Sequence, residues 1–328
     1  MTICVIGLGS MGKRRIRLLR RFANMSVVGV DSQKTRRLEC TEMLHIHTYE
    51  SFTEAACREK LSCAFVCTSP LSHADIIHDC LAAGLHVFTE INLSADRYEE
   101  NIALAREKGL TLFLSSTPLY RAEMRWVIGR VHAAKYLVNY MYHVGQYLPD
   151  WHPWEMYHSY FISDKRTNGC RELLAIELPW LVNCFGAVEN ATVLRGRNTT
   201  LDIDYDDNYM LQLQHRSGAK GALAIDVMSR KASRRLEVYG EDTYITWNGT
   251  PDSLMEFDIE TQKERFVTFE KVGEHHEGYA DFIVETPYEE EIKSFFNLVM
   301  NPDTPCLWDF ERDRAVLTLI DQIEGHTS

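Results

Sequence analysis

The feature that most restricts the fold is a glycine-rich turn, Gly7-Leu8-Gly9-Ser10-Met11-Gly12, set between two segments of opposite character. Before it stands the short apolar stretch Thr2–Ile6, β-branched and brief, which reads as a buried strand. After it, residues 13–22 place Ile16, Leu19 and Phe22 on one face at helical spacing, with arginines around the rest. In a strand–turn–helix context each glycine has a task. The first permits the tight turn, the second lets the backbone approach a diphosphate, and the third lets helix and strand pack closely. The diphosphate is expected on the helix N-terminus, with Ser10 and Met11 in that first turn, where unpaired N–H groups and the macrodipole favour an anion. Most of the arginine-rich face reads as solvated, and Arg14 is the residue placed to reach a phosphate.

A second strand, Ser26–Val30, ends at Asp31, about 20 residues beyond the turn. A carboxylate there accepts hydrogen bonds from the adenosine ribose hydroxyls and repels a 2′-phosphate. NAD(H) is therefore expected, and NADP(H) is disfavoured, although Lys34, Arg36 and Arg37 lie close enough to soften the preference. Asp31 also reads as a helix N-cap, and the two roles are compatible.

Apolar runs at 63–67, 86–89 and 111–115 alternate with helical stretches at 74–83 and 95–108, the helices ending at Gly84 and Gly109. Alternation at these lengths indicates a doubly wound parallel sheet covered on both faces, a Rossmann domain. The texture changes after about Tyr120. A helix is expected at 122–132, a strand at 137–145, an aromatic loop, and a helix at 170–185. Strands separated by turns follow at 209–215, 220–227, 233–239 and 243–247, and helices at 287–300 and 310–324 close the chain. The reading is α/β: a Rossmann domain over 1–120, then an α+β domain over 121–328 with a largely antiparallel open sheet.

Lys plus Arg number 35 and Asp plus Glu 47, so the formal charge is −12. That balance argues against nucleic-acid or anionic-membrane partners. The nine cysteines are odd in number, form no CxxC and sit mostly in apolar runs, as free thiols do in a reducing compartment. No signal peptide is read at Met1, and no apolar run approaches the ~20 residues that span a bilayer. A cytoplasmic location is expected.

Two segments carry a family resemblance. Cys67-Thr68-Ser69-Pro70-Leu71-Ser72-His73, followed by Ala82-Ala83-Gly84-Leu85-His86-Val87-Phe88-Thr89-Glu90, resembles the Gfo/Idh/MocA oxidoreductases, where a T-P-x-x-H loop follows strand four and A-G-K-H-V-x-x-E-K-P follows the next helix. The resemblance implies hydride transfer between NAD(P) and a hydroxyl or carbonyl carbon, usually of a sugar, sugar nucleotide or cyclitol. It implies a homodimer or homotetramer built through the open sheet. It also implies that Thr68, Ser69 and His73 line the cofactor and that Glu90 stands by the nicotinamide. For His73 the alternative is a helix-terminal residue hydrogen-bonded to backbone.

This chain departs from the family where proton transfer is concerned. The family's E-K-P reads Glu90-Ile91-Asn92, and isoleucine donates no proton. The family's G-G-x-x-x-D-x-G-x-H motif falls near Gly169, with Glu172 near the aspartate and Glu177 within one position of the histidine. Glu172 and Glu177 lie about 140° apart on a helix, so they do not form a carboxylate pair. The replacement acid–base group is sought among His152, Glu177 and Lys165, with the tyrosines of 147–160 behind them. Glu177 is alternatively half of a structural ion pair with an arginine such as Arg171.

For the substrate, Trp151 and Trp154 offer faces on which sugars stack, or else pin the loop to the sheet. Arg171 offers a bidentate fork for an anionic group, and Glu172 a hydroxyl acceptor. No metal is expected, since His45-x-His47 and His275-His276 lack a third ligand at a usable spacing. Two readings rival a dehydrogenase acting on a small carbohydrate-like substrate: a non-catalytic NAD- and sugar-binding sensor, and an NAD-dependent enzyme with no net redox change.

Overall fold

The computed structural model describes residues 1–22, 25–151, 156–269 and 284–325. Its first elements are β1 (Thr2–Ile6), α1 (Ser10–Leu19), β2 (Ser26–Val30), α2 (Lys34–Leu44), β3 (His47–Tyr49), α3 (Phe52–Arg58) and β4 (Leu61–Val66). Then come α4 (His73–Ala82), β5 (His86–Thr89), α5 (Tyr98–Lys108) and β6 (Leu112–Leu114). They are followed by α6 (Ala122–His132), β7 (Val138–Gly145), α7 (Gly169–Phe185), β8 (Val188–Gly196), β9 (Asn208–His215), β10 (Lys220–Asp226) and β11 (Ser233–Gly240). Last are β12 (Tyr244–Trp247), β13 (Met255–Asp258), β14 (Lys263–Phe266), α8 (Thr286–Met300) and α9 (Phe310–Ile323).

Two compact units result. Met1–Ser116 joins Tyr288–Leu317 in one, and Thr117–Pro287 joins Thr318–Ser328 in the other. Residues 288–317, read in sequence as part of a second domain over 121–328, thus return to the first unit. The reason is aromatic packing. Phe65, Phe88 and Phe113 stack along β4, β5 and β6 at centroid spacings of 4.6 and 5.1 Å, and Phe295 of α8 meets all three edge-on.

The sheet of the first unit runs β3-β2-β1-β4-β5-β6, every pairing parallel. Its central strands are buried along nearly their whole length, so they read as continuous apolar runs. Strand order reverses between β1 and β4, and in such sheets ligands bind outside the carboxyl ends of the strands at that point. Gly7 and Asp31 follow the ends of β1 and β2, Thr68 lies two residues past β4, and Glu90 follows β5.

In the second unit the sheet runs β14-β13-β12-β11-β7-β10-β9-β8, antiparallel except for β7 and β10. β7 alternates burial residue by residue from Val138 to Val144. Tyr140 stacks on Phe185 of α7 at 4.4 Å and Tyr142 meets Trp180 edge-on at 5.4 Å, so α7 covers this face. On the opposite face Met141, Leu194, Met210 and Tyr239 are exposed. Short elements with little apolar signal, β3 and α3 among them, were not legible in the sequence. Among the described residues no helix is long and apolar enough to cross a membrane, and no group of three or more His, Cys, Asp or Glu could hold a metal ion. His275 and His276 lie outside the described residues.

Candidate functional site

The glycine-rich turn is shaped by two different constraints. Gly7 has φ +96°, and a Cβ there would stand 2.6 Å from the Cys67 carbonyl oxygen. A Cβ on Gly12 would lie 1.8 Å from the Gly7 carbonyl oxygen, so α1 packs onto the turn at backbone distance. At Gly9 the nearest atom is Arg36 Nη1 at 4.0 Å, and the protein itself leaves room for a side chain. The N-terminus of α1 has no side-chain cap and no acidic residue in its first turn. An uncapped helix end with a bare glycine in front of it is the donor set an anionic diphosphate requires. The residues therefore fit a dinucleotide.

Asp31 ties this cradle to the next strand. The Leu8 N–H donates to Oδ2 at 2.8 Å and the Gln33 N–H to Oδ1 at 2.8 Å. The carboxylate is almost wholly buried, with Arg36 Nη1 at 3.7 Å from Oδ2. Asp31 is not the cap of α2, because that position belongs to Gln33.

The loop after β4 holds itself together. Ser72 Oγ donates to the Ser69 carbonyl at 2.7 Å and lies within hydrogen-bond distance, 2.8 Å, of Thr68 Oγ1. His73 is buried beneath it, with Nε2 at 3.0 Å from the Thr68 carbonyl and Nδ1 at 2.8 Å from Asn92 Oδ1 and 3.3 Å from Thr89 Oγ1. Burial lowers its pKa, which favours the neutral ring. Both ring nitrogens thus face protein groups, as in the alternative reading of His73 as a helix-terminal residue bonded to backbone. Its partner Asn92 stands where the family has proline.

Glu90 belongs to a buried charge cluster absent from the sequence reading. Arg15, with no exposed surface, donates Nε to Glu90 Oε1 at 2.6 Å and Nη2 to Oε2 at 3.1 Å. The same guanidinium reaches Glu291 Oε2 at 2.7 Å and the Tyr288 carbonyl at 3.0 Å. Glu291 Oε1 accepts from Ser115 Oγ and from the Ser116 N–H, each at 2.8 Å. The α1 arginines are therefore not all a solvated face. Arg15 crosses the Phe88 ring at 4.5 Å, while Arg14 is buried over Tyr288 with Nη1 donating to Met11 Sδ at 3.3 Å. A usable signal existed in α8, where Glu291 shares the spacing of Tyr288, Ile292 and Phe295 on an apolar face.

In the second unit, α7 begins with Asn168 capping the Arg171 N–H at 2.8 Å. Arg171 is buried and its guanidinium bonds Glu324 and, at 2.7 Å, Asp321, so it fastens the helix end instead of presenting a fork to a ligand. Glu177 faces the sheet. It accepts from Tyr142 OH, Trp180 Nε1 and Arg234 Nε, each at 2.8 Å. The ion pair foreseen for it exists, with Arg234 as the partner in place of Arg171. Changing Glu177 to alanine strands three donors, and a loss of about 3–5 kcal/mol in chemical denaturation is expected.

Lys165 is exposed in a short 3₁₀ turn. Trp151 is half-buried, its Nε1 donating to the Gln146 carbonyl at 3.0 Å and its ring against Gly169, so it pins the loop. His152 and Trp154 lie outside the described residues. Glu172, in the first turn of α7, is half-buried and has no hydrogen bond or ion pair to its carboxylate among the described residues, and burial pushes it up to about 7. Ile176 stands one turn further on the same face, about 40° round the helix. If Glu172 occupies the family's aspartate position, Ile176 and not Glu177 occupies that of the histidine. Sequence reasoning also passed over His143, whose Nε2 lies 2.7 Å from the buried Asp226.

Residues 1–116 match the Gfo/Idh/MocA family model, described as an oxidoreductase family with an NAD-binding Rossmann fold. A 4-carboxy-2-hydroxymuconate-6-semialdehyde dehydrogenase of Sphingobium sp. is 23% identical over 146 residues, 43% of this chain and 46% of that protein. The chain thus spans less than half the length of the curated relatives it matches. Among solved structures, the UDP-N-acetylglucosamine 3-dehydrogenase GnnA of Acidithiobacillus ferrooxidans is 15% identical with a TM-score of 0.76, covering 100% of this chain and 97% of its own. GenD2 from gentamicin A biosynthesis, in complex with NAD, is 17% identical with a TM-score of 0.79 over 99% of this chain and 93% of its own. At these identities the likeness is one of fold.

Proposed function

We propose that this chain, whose residues 1–116 match the Gfo/Idh/MocA family model, is an NAD(H)-dependent oxidoreductase acting on a hydroxyl or carbonyl carbon of a sugar, sugar nucleotide or cyclitol. The observation that carries the proposal is the uncapped α1 terminus behind Gly9, tied through Leu8 to Asp31. The substrate class is supported by one structural neighbour, a UDP-N-acetylglucosamine 3-dehydrogenase. Asp31 favours NAD(H), because a buried carboxylate repels a 2′-phosphate.

The bound nicotinamide supplies the hydride acceptor or donor. Gly7, Gly9, Ser10, Met11 and Gly12 cradle the diphosphate, while Thr68, Ser69 and Glu90 serve the nicotinamide half. The hydroxyl proton needs a partner, and Ile91 provides none. Glu177 is held by three donors and Lys165 projects into solvent. Glu172, without a carboxylate partner among the described residues and pushed to about 7 by burial, is the group matched to proton exchange near neutrality. The exposed sheet face with Met141, Leu194, Met210 and Tyr239 is where a second copy would pack to form a homodimer or homotetramer. Free thiols throughout are suited to the cytoplasm.

The test is nicotinamide absorbance with a panel of free sugars, cyclitols and sugar nucleotides. Turnover with at least one member is expected. Tight NAD binding with no turnover across the panel would favour the non-catalytic sensor, a reading that the isoleucine at position 91 supports. Deuterium entering recovered substrate without net redox change would indicate the third reading.

A further inference from the structure

The charge cluster around Arg15 has a consequence for the nucleotide's redox state, and it rests on the proposed dinucleotide site. One guanidinium lies between two carboxylates. Both Glu90 oxygens accept from Arg15, and Oε1 also faces the Cys67 thiol at 3.8 Å. Glu291 accepts likewise, from Ser115 and Ser116 at Oε1 and from Arg15 at Oε2. Two carboxylates thus share the single guanidinium of Arg15, and the trio holds one net negative charge. Arg14, the other buried cation of α1, lies over the Tyr288 ring with Nη1 donating to Met11 Sδ.

The cluster's position in the sheet gives that charge a target. Asp31, after β2, serves the adenosine ribose, so the adenosine half lies over β1, β2 and β3. The nicotinamide half then lies over β4, β5 and β6, since a Rossmann sheet binds the two nucleotides on either side of its switch point. Glu90 is the first residue past β5, and its side chain retains 12% exposure where Arg15 and Glu291 retain none. It is the member of the cluster that reaches toward the crevice. An oxidised nicotinamide ring carries a positive charge that the reduced ring lacks, and a fixed negative charge beside it distinguishes the two.

We infer that Glu90, held in place by Arg15 and by Glu291 of α8, is a specificity residue that selects oxidised over reduced nicotinamide nucleotide. Glu291 is its positioning residue.

The test is calorimetric titration of the intact protein with NAD⁺, NADH and ADP-ribose, the last reporting the cradle without the nicotinamide. Glu90→Gln is expected to lower the ratio of the NADH to the NAD⁺ dissociation constant by about tenfold. Glu291→Gln, one residue further from the crevice, is expected to lower it by about threefold. ADP-ribose affinity should stay within about twofold in both. Glu90→Asp keeps the charge and should retain most of the wild-type ratio, which a merely structural role for Glu90 would not require. An unchanged ratio in both glutamine variants, with ADP-ribose binding intact, overturns the inference. If Glu90→Gln fails to fold, Glu291→Gln and Glu90→Asp decide it by the same ratio. A wild-type protein that binds none of the three overturns the dinucleotide reading, and this inference with it.

Discussion

Replacing Gly9 with alanine is expected to weaken NAD(H) binding by about a hundredfold while thermal unfolding stays where it was. The magnitude follows from losing about two charge-assisted hydrogen bonds to the diphosphate, at roughly 1.5 kcal/mol each. The fold should be indifferent, because the nearest atom to the new Cβ is a mobile guanidinium nitrogen at 4.0 Å. Gly12→Ala is the contrasting control. Its methyl group would meet a backbone carbonyl at 1.8 Å, and it should cost more than about 3 kcal/mol of stability as well as binding. Calorimetry paired with a melting curve separates the two. A Gly9→Ala protein that binds NAD(H) as the wild type does would show that the glycine-rich turn does not hold the diphosphate.

Glu172→Gln should lower kcat by about 10²–10³-fold, within the range usual for a positioned acid–base group, with KM changed far less. The pH profile carries the sign. As a base in alcohol oxidation the carboxyl must be ionised, so kcat should rise as pH climbs through about 7. In the reverse, reducing direction the protonated form is required, and kcat should fall through the same range. Both inflections should vanish in the glutamine variant. Retention of the inflection would transfer the role elsewhere, His152 being the first residue to examine.

The parts of the fold legible in the sequence are those set by local chemistry. The glycine spacing, the apolar run before it and Asp31 after the second strand are all read within about 30 residues, and the family resemblance rests on equally local runs. Strands β9 to β12 were readable because a half-buried sheet alternates along the chain. β8 was not set apart as an element, because it lies at one edge of its sheet with most of its residues exposed.

The partners of charged residues were beyond the reach of pattern. Arg15 looked like one of six basic residues on a solvated helix, and it is buried because Glu291, some 276 positions away, is on the apolar face of α8. Glu177 was correctly suspected of an ion pair, yet its arginine comes from β11 rather than from its own helix. Arg171 was drawn away from any ligand by two acidic residues near the chain's end.

From its own residues the chain determined a parallel sheet, a glycine-rich turn before a bare helix end and a carboxylate after the second strand, because backbone geometry and helix termini are local properties. Tertiary structure alone decided which ionisable groups are neutralised by neighbours and which are left with a reactive proton. Burial and pairing depend on what distant segments bring, and a single charge in a low-dielectric interior is worth more than any local propensity.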